Sequence, residues 1–207
     1  MRQLLHLKPD KVATVAFRHP WVFSGAVDKR PESLVHGALV HVTDSHGKIL
    51  GTGTFSNRGS IAVRVFEFDD AVIDQKWMEK KFREAQTRRA TMGYGPGTET
   101  TGYRVLFGES DSVPGLIIDR YEDIYVMQLS TTGIDQLRPQ IIAAILETFK
   151  PSALVERSDI STRHEEGLEE VKSVHYGTCP DRVEFRENGL KFSADPMNGQ
   201  KTGFDWL

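Results

Sequence analysis

The most regular stretch of this 207-residue chain runs from residue 103 to residue 129, and it limits the folds that the chain can adopt. Apolar residues on both sides of a polar turn predict two strands, and residues 124–129 predict a third. An apolar stripe predicts a helix over residues 133–149, and Pro151 is expected to end it. A strand at residues 153–156, a short helix and a hairpin at residues 183–193 follow. This order predicts an α+β arrangement with a helix packed on a sheet.

Residues 1–68 read as a small all-β unit. Strands are predicted at residues 3–7, 38–43, 49–54 and 61–68, with a hairpin turn at residues 44–47. A helix follows over residues 74–91 with six basic residues, and it is either a surface that helps to hold a phosphate-bearing ligand or a salt-bridged linker. Three glycines and a proline at residues 92–97 predict a flexible joint.

The composition excludes several classes of protein. Charged residues make up 27% and hydrophobic residues 39%, which is typical of a globular chain and not of a disordered one. No apolar run approaches the roughly 20 residues that a membrane helix needs. The chain has a single cysteine, Cys179, so an internal disulfide is excluded, as expected in a reducing compartment. With no secretory signal in the first residues, the sequence predicts a cytoplasmic protein.

The charge is unevenly distributed. Residues 1–68 hold nine lysines and arginines against five acidic residues, a net of +4, whereas the remaining residues hold 17 against 24, a net of −7. A basic unit could attract phosphates, but an ordinary solvated surface is the alternative. Trp21 and Phe23 could stack on bases, although the small size of the unit favours a place in its core. Candidate donors to phosphates and base edges are Arg18, His19, Ser24, Gly25, Lys29, Arg30, Asn57 and Arg58.

Residues 195–207 are punctuated by glycine and proline, so the backbone there can approach a ligand closely. Lys201 and Thr202 stand between two glycines and offer a cation and a hydroxyl, which suits an anionic or carboxylate-bearing ligand. A solvated tail is the alternative.

Acidic and basic residues alternate through the central part of the chain. The carboxylates could form a metal site or an acid–base pair, but neither paired cysteines nor histidines at i, i+4 spacing accompany them, so no metal site is expected. Interleaved arginines favour a structural network of ion pairs. The acidic residues are Glu109, Asp111, Asp119, Asp159, Glu165 and Glu166, and the arginines are Arg104, Arg120, Arg157 and Arg163.

Several motifs resemble one family, the S-adenosylmethionine (SAM)-dependent large-subunit ribosomal RNA methyltransferases that carry an N-terminal PUA domain. The sequence Gly-Gln-Lys-Thr-Gly-Phe at residues 199–204 resembles the start of their catalytic domain. The sequence departs from the family at Glu122, where glycine is usual, and after Phe204, where the signature is not continued. Further matching stretches are residues 19–27, 51–56, 61–64, 108–121, 157–168 and 187–192.

The resemblance implies a division of the chain and a set of site residues. Residues 1–70 would be a small β-barrel PUA domain that binds RNA, 71–97 a linker helix and hinge, 98–195 a central α+β domain, and 196–207 the start of a methyltransferase domain. With no glycine-rich βαβ unit apparent in the sequence, the Rossmann-like catalytic domain is expected to be absent. Residues that the resemblance assigns to SAM are Gln200, Lys201, Thr202, Gly203 and Phe204.

The expected function follows from the same resemblance. The chain would be the RNA-recognition half of an enzyme that methylates carbon 5 of cytosine in 23S ribosomal RNA, itself binding no SAM and unable to catalyse the transfer. Cys179 does not match the family's nucleophile position, and no catalytic residue is assigned. The alternatives are a stand-alone RNA-binding adaptor and, less favoured, a hydrolase that uses the central carboxylates. The expected partner is structured ribosomal RNA and not a membrane; a homodimer is left open.

Overall fold

The structure is a computed structural model that describes residues 3–199. Two sheets, each with its own buried core, account for most of the chain, and a helix of 17 residues lies between them in sequence. Among the helices of residues 3–199, none is long and apolar enough to cross a membrane.

The first sheet has six strands in the order β2-β6-β5-β4-β1-β3. Only β1 and β4 pair in parallel, and the other neighbours are antiparallel. Alternating apolar residues of these strands, among them Leu5, Val40 and Val63, point into one core. The elements are β1 (Gln3–Leu7), α1 (Val12–Ala16), β2 (Trp21–Phe23), β3 (Val27–Lys29), β4 (Leu39–Thr43), β5 (Ile49–Phe55) and β6 (Ile61–Glu67).

The predicted hairpin turn between β4 and β5 is confirmed. The carboxylate of Asp44 accepts hydrogen bonds from the backbone N–H groups of His46 and Lys48, at 2.8 and 2.9 Å. Gly47 supplies the positive φ of 83° that the turn requires. This local chemistry fixes the pairing register of β4 with β5.

Helix α2 (Gln75–Thr91) matches the predicted helix and packs on the second sheet. Asp74 caps it, since its carboxylate accepts a 2.9 Å hydrogen bond from the N–H of Trp77. One face of the helix is buried, including Met78 and Phe82, whereas Lys81 is buried against Glu67 of β6. One face of the helix is therefore an integral part of the core.

The second sheet has five strands in the order β11-β10-β9-β8-β7, and a separate hairpin, β12-β13, packs beside it. Its apolar residues form the largest core of the described chain. The elements are β7 (Gly102–Phe107), β8 (Leu116–Tyr121), β9 (Ile124–Leu129), α3 (Thr132–Gln136), α4 (Arg138–Phe149), β10 (Ala153–Ser158), α5 (Thr162–Glu165), β11 (Val171–Gly177), β12 (Val183–Glu187) and β13 (Leu190–Ala194).

The predicted fold class, with its Rossmann-like part absent, is wrong. Strands β9 and β10 are parallel neighbours joined through α3 and α4, which is the β-α-β crossover from which Rossmann-like sheets are built. The remaining pairs of this sheet are antiparallel, so the sheet is mixed. The sequence did not show the crossover because parallel pairing is a long-range contact that no local pattern encodes.

Two smaller expectations are also corrected. The single helix predicted over residues 133–149 is two helices that meet at Leu137, because Pro139 lies in the first turn of α4 and has no N–H to continue the earlier hydrogen bonds. Strand β11 was not predicted at all. Within residues 3–199 it pairs with β10 alone and is half exposed, so its apolar alternation is weak. The division of the chain at residues 70, 97 and 195 stays a prediction.

Candidate nucleic-acid interface

The eight residues predicted to bind RNA are all exposed, and all belong to the six-stranded sheet or its loops. The structure brings only some of them together. Three line one pocket of about 300 Å³ beside β5, which we call the Arg30 pocket: Ser24, Arg30 and Asn57. The other five, which are placed elsewhere on the surface, are Arg18, His19, Gly25, Lys29 and Arg58.

The Arg30 pocket combines a cation, polar donors and an aromatic wall. The guanidinium carbon of Arg30 lies 5.0 Å from the centroid of the Phe55 ring, so the ring supports the charged group at the pocket wall. Ser24 is held in place by its N–H, which donates a 2.8 Å hydrogen bond to the carbonyl of Ser60. Asp28 is the acidic member of the lining. A guanidinium, a hydroxyl and an amide can together bind a phosphate or a base edge.

The Asn57–Arg58 loop is positioned by residues of both sheets. The N–H of Asn57 donates to Nδ1 of His36 at 3.3 Å, and the N–H of Arg58 donates to the Ser56 hydroxyl at 3.1 Å. The Arg58 guanidinium lies against Gly167, which follows α5: a Cβ on that glycine would be 2.7 Å from the guanidinium carbon. Arg58 thus faces the five-stranded sheet and does not enter the Arg30 pocket.

Arg18 and His19 form a separate group at the end of α1. Arg18 adopts a φ of 61° and places its guanidinium carbon 5.6 Å from the centroid of the Phe68 ring. Nδ1 of His19 accepts a 3.1 Å hydrogen bond from the N–H of Trp21. Sequence reasoning missed Phe17 beside them, which is 87% exposed. An aromatic residue next to an arginine and a histidine was the available signal.

The interpretation of Phe23 as a core residue is wrong, and that of Trp21 holds only in part. Phe23 is 44% exposed and, with Gly25, lines an apolar groove of about 280 Å³. Trp21 is half buried, and its indole N–H donates a 2.8 Å hydrogen bond to Glu109, in the turn after β7. Trp21 therefore serves the contact between the two sheets.

A second cleft, of about 340 Å³, lies at this contact, and we call it the junction cleft. Glu166 closes one side. Its carboxylate lies 3.3 Å from Arg64 of β6 and accepts a 3.3 Å hydrogen bond from the N–H of Thr132 in α3. Nε2 of His36 is 2.8 Å from the Thr132 hydroxyl and 3.0 Å from the Glu166 carbonyl oxygen. These contacts tie the two sheets together with little exposed charge.

The central carboxylates and arginines form structural ion pairs, as the sequence predicted. Arg104 pairs with Asp119 at 2.8 Å and Arg157 with Asp159 at 3.1 Å, and each pair has one buried member, Asp119 and Arg157 respectively. Arg163 departs from the predicted set, since it pairs with Asp135 at 2.9 Å. Within the described residues no group of three or more histidines, cysteines, aspartates and glutamates could hold a metal ion.

Asp111 shows why the turn after β7 carries an acid. Its buried carboxylate accepts hydrogen bonds from Arg88 at 2.6 Å, from both terminal nitrogens of Arg89 at 2.8 and 2.7 Å, and from the N–H of Phe107 at 2.7 Å. Burial acts to raise the pKa of Asp111, but the two guanidinium groups outweigh it and hold this pKa below its usual value. The carboxylate joins α2 to the sheet.

The five residues assigned to SAM, Gln200–Phe204, lie outside the described residues. The turn that precedes them is described, and the guanidinium of Arg157 donates hydrogen bonds to the carbonyl oxygens of Pro196 and Gly199. Cys179 is half buried, and burial raises the pKa of its thiol, as do the charges of Asp195 and Asp181. A thiol with a raised pKa is a poor nucleophile at neutral pH.

Comparison with known proteins shows what the chain is similar to. A PUA-like domain family matches residues 5–68. The ribosomal RNA large subunit methyltransferase I of Aliivibrio fischeri strain MJ11 is 38% identical over 202 residues, which are 97% of this chain and 50% of the relative. The protein of that name from Vibrio vulnificus strain CMCP6 is 36% identical over 99% of this chain and 51% of the relative. The chain thus spans about half the length of the curated relatives it matches.

Solved structures show the same fold. A putative SAM-dependent methyltransferase from Streptococcus mutans superposes with a TM-score of 0.77 at 19% identity, over 96% of this chain and 50% of that one. A second putative methyltransferase, solved in complex with SAH, gives a TM-score of 0.76 at 17% identity, over 97% and 49% of the two chains.

These alignments correct the expected function. The expectation of an RNA-recognition half that is itself unable to catalyse methyl transfer is wrong, because nearly the whole chain aligns with methyltransferases. The comparisons give no support to a stand-alone adaptor, to a hydrolase or to a chain that binds no SAM. Residues 5–68 are a PUA-like domain, and the chain is homologous to the ribosomal RNA large subunit methyltransferases I along 97% of its length.

Proposed function

We propose that this protein acts in the SAM-dependent methylation of large-subunit ribosomal RNA and that its PUA-like domain binds the RNA. The observation that carries the proposal is the 38% identity to a large-subunit methyltransferase along almost the whole chain. The exposed cations of the PUA-like domain support it, since they face solvent on the part of the chain with a net charge of +4.

The Arg30 pocket is the part of this surface best suited to read a nucleotide. Its volume of about 300 Å³ is at the lower end of small-molecule pockets and suits one nucleotide. Arg30 would pair with a phosphate, while Ser24 and Asn57 would donate to sugar or base atoms. The carboxylate of Asp28, which also lines the pocket, would repel a second phosphate. It would accept a hydrogen bond from an amino group of a base.

The remaining cations would hold the RNA backbone on either side. Lys29 lies next to Arg30 on the exposed end of β3, and Arg18 lies at the end of α1 near exposed Phe17. Arg58 stands at the contact with the five-stranded sheet, so RNA bound there would touch both sheets. These cations are spread over a surface wider than a single RNA strand. Only folded RNA could therefore contact them together.

Gln200, Lys201, Thr202, Gly203 and Phe204 are proposed to contribute to SAM binding. Their chemistry fits the cofactor's carboxylate, for which an ammonium, an amide and a hydroxyl are suitable partners. The turn before them is bound to Arg157 near the carboxyl end of β10. Ligands of sheets with parallel strands bind at that edge. When bound, SAM supplies the methyl group, and these residues would hold and orient it.

The finer features expected from the sequence belong to the same proposal. The methylated base is proposed to be cytosine and the acceptor atom carbon 5. The domain division at residues 70, 97 and 195 agrees with a β unit followed by a helix and a mixed sheet, and is kept as a proposal. A ribosomal RNA substrate implies a cytoplasmic location, which is proposed on that ground.

Mapping of methylated nucleotides in large-subunit ribosomal RNA tests the proposal. RNA from cells that lack the gene is compared by mass spectrometry with RNA from the parent cells and from cells that regain the gene. We expect one 5-methylcytosine to disappear and to return with the gene. A methylation map that is the same in all three samples would contradict the proposed function.

A further inference from the structure

The junction cleft contains groups that the contact between the two sheets does not use. Its volume of about 340 Å³ is at the lower end of small-molecule pockets and is enough for one nucleobase. Strands β2 and β6 form one wall, and the turn after β7, the start of β8 and α5 form the other. A ligand in the cleft would therefore contact both sheets at once.

Phe107 supplies an exposed aromatic ring on the wall of this cleft. It is the last residue of β7 and is 47% exposed. Its N–H donates a 2.7 Å hydrogen bond to the buried carboxylate of Asp111, and the guanidinium carbon of Arg104 lies 5.1 Å from the centroid of its ring. The ring is thus held in place while it stays open to the cleft, where a planar ligand could stack on it.

Of the three carboxylates that line the cleft, two already have partners. Glu109 accepts a hydrogen bond from the indole of Trp21, and Glu166 pairs with Arg64 at 3.3 Å. The third, Glu165 at the end of α5, is exposed and has no hydrogen-bond or ion-pair partner within residues 3–199. One arginine against three carboxylates leaves the lining negatively charged. This charge disfavours a phosphate and favours a group that donates hydrogen bonds.

A cation lies beside the cleft. Gly167 directly follows Glu166 of the lining, and a Cβ on this glycine would be 2.7 Å from the guanidinium carbon of Arg58. Arg58 is exposed and pairs with no carboxylate in the described part of the chain. A nucleotide carries a phosphate at one end and a base at the other. A phosphate on Arg58 with its base in the cleft would match both charges.

We propose that the junction cleft binds an unpaired RNA nucleobase that carries an exocyclic amino group. Phe107 would stack on the base, the Glu165 carboxylate would accept a hydrogen bond from the amino group, and Arg58 would bind the phosphate. This inference rests on the proposed function, which makes RNA the substrate. It adds a nucleotide site separate from the Arg30 pocket, and it gives Arg58 a role that the Arg30 pocket does not.

The test is a titration of the full chain with oligocytidylate and oligouridylate of about six nucleotides, followed by NMR. The two bases are of similar size, but cytosine has an amino group where uracil has a carbonyl, so their comparison isolates the contact with Glu165. The backbone N–H of Gly115 reports on the junction cleft, and that of Gly59 reports on the Arg30 pocket. We expect the Gly115 resonance to shift and to give about tenfold tighter binding of oligocytidylate.

Two variants with matched controls assign the roles of the side chains. Glu165→Ala should bring the affinity for oligocytidylate at Gly115 down to that for oligouridylate, whereas Glu169→Ala removes an exposed carboxylate outside the cleft and should keep the difference. Phe107→Leu should weaken the binding of both RNAs about tenfold through lost stacking. Phe192→Leu, at a phenylalanine that is 43% exposed on β13, should leave both affinities unchanged. Unchanged thermal unfolding midpoints would show that the variants are folded.

Failure of this inference can be told apart from failure of the proposed function. If RNA shifts Gly59 but not Gly115, the cleft is not a nucleotide site, while RNA binding by the PUA-like domain stands. Equal affinities of the two RNAs at Gly115, or a preference that survives Glu165→Ala, would overturn the role of the amino group. A shift of Gly115 with spermidine but not with RNA would make the cleft a cation site and also overturn the inference. The methylation map in cells tests the proposed function independently of these results.

Discussion

The indole N–H of Trp21 donates a 2.8 Å hydrogen bond to the carboxylate of Glu109 and so joins the two sheets of the molecule. Trp21 lies on β2 at the edge of the six-stranded sheet, and Glu109 lies in the turn after β7 at the edge of the five-stranded sheet. Both line the junction cleft. The PUA-like domain is therefore held in a defined position relative to the second sheet.

Replacement of Trp21 by phenylalanine should weaken this contact while an aromatic ring is kept. The hydrogen bond to a carboxylate is lost, so we expect the free energy of unfolding to fall by about 1–2 kcal/mol in urea titrations. Glu109→Gln keeps an acceptor for the indole and should cost less. Equal stability of Trp21→Phe and the wild type would show that the hydrogen bond contributes nothing.

Gly133 should not tolerate a side chain. A Cβ at this position in α3 would lie 2.3 Å from the Cβ of Thr54 on β5, where the two sheets meet. Gly133→Ala is expected to lower the free energy of unfolding by about 1–3 kcal/mol because of overpacking. Gly25→Ala is the control, since no atom lies within 4 Å of the added Cβ. A thermal unfolding midpoint for Gly133→Ala at the wild-type value would contradict the close packing described here.

Stability should depend on the Asp111 carboxylate in a pH-dependent way. Its pKa is lowered in the folded state, so its ion pairs contribute stability above the unfolded pKa of about 4, and this contribution is lost as the pH falls through the lower folded pKa. Asp111→Asn should cost about 3 kcal/mol at pH 7, since Arg89 loses its buried partner.

The same variant should flatten the acid limb of the stability curve. Urea titrations from pH 7 to about pH 3 would show this as a smaller loss of stability than in the wild type. Asp28→Asn on exposed β3 serves as the control and should leave the stability at pH 7 unchanged. If Asp111→Asn and the wild type lost the same free energy of unfolding between pH 7 and about pH 3, the role of the Asp111 carboxylate in acid stability would be refuted.

Cys179 should behave as an unreactive thiol. Because burial raises its pKa, alkylation by iodoacetamide should be slow at pH 7 and should rise about tenfold per pH unit until the pH exceeds 9. Cys179→Ser should leave the methylation of ribosomal RNA intact in cells. Rapid alkylation at pH 7 would contradict the raised pKa of the thiol, and loss of methylation in the variant would show that Cys179 is needed for the reaction.

Local sequence signals predicted the local structure well. The Asp44 turn and the helix that begins after Asp74 depend on residues close in sequence, and both were predicted. The parallel pairing of β9 with β10 and the strand β11 depend on partners far away in the sequence. Their prediction failed because no alternation or turn residue reports which strands become neighbours.

The candidate site shows the same limit. Hydrophilic loop residues were correctly expected at the surface, but their grouping into one pocket depends on the strand order of the six-stranded sheet. Ser24, which follows β2, lies near Asn57, which precedes β6, because β2 and β6 are neighbours. Arg30, which follows β3, lines the same pocket, whereas Arg18 lies apart. The role of Arg64 and His36 at the junction could not be read from sequence, since their partners lie on the other sheet.

The most direct measurement of the central claim is the salt dependence of binding to large-subunit ribosomal RNA. Filter binding from about 50 to 200 mM salt should show affinity that falls steeply with salt for the wild type. Lys29→Gln with Arg30→Gln should weaken binding and reduce the salt slope by about two units, one for each lost phosphate contact. Lys80→Gln with Arg83→Gln removes the same charge from the exposed side of α2 and should have little effect. Absence of binding by the wild type at about 50 mM salt, or equal losses in the two double variants, would contradict the account.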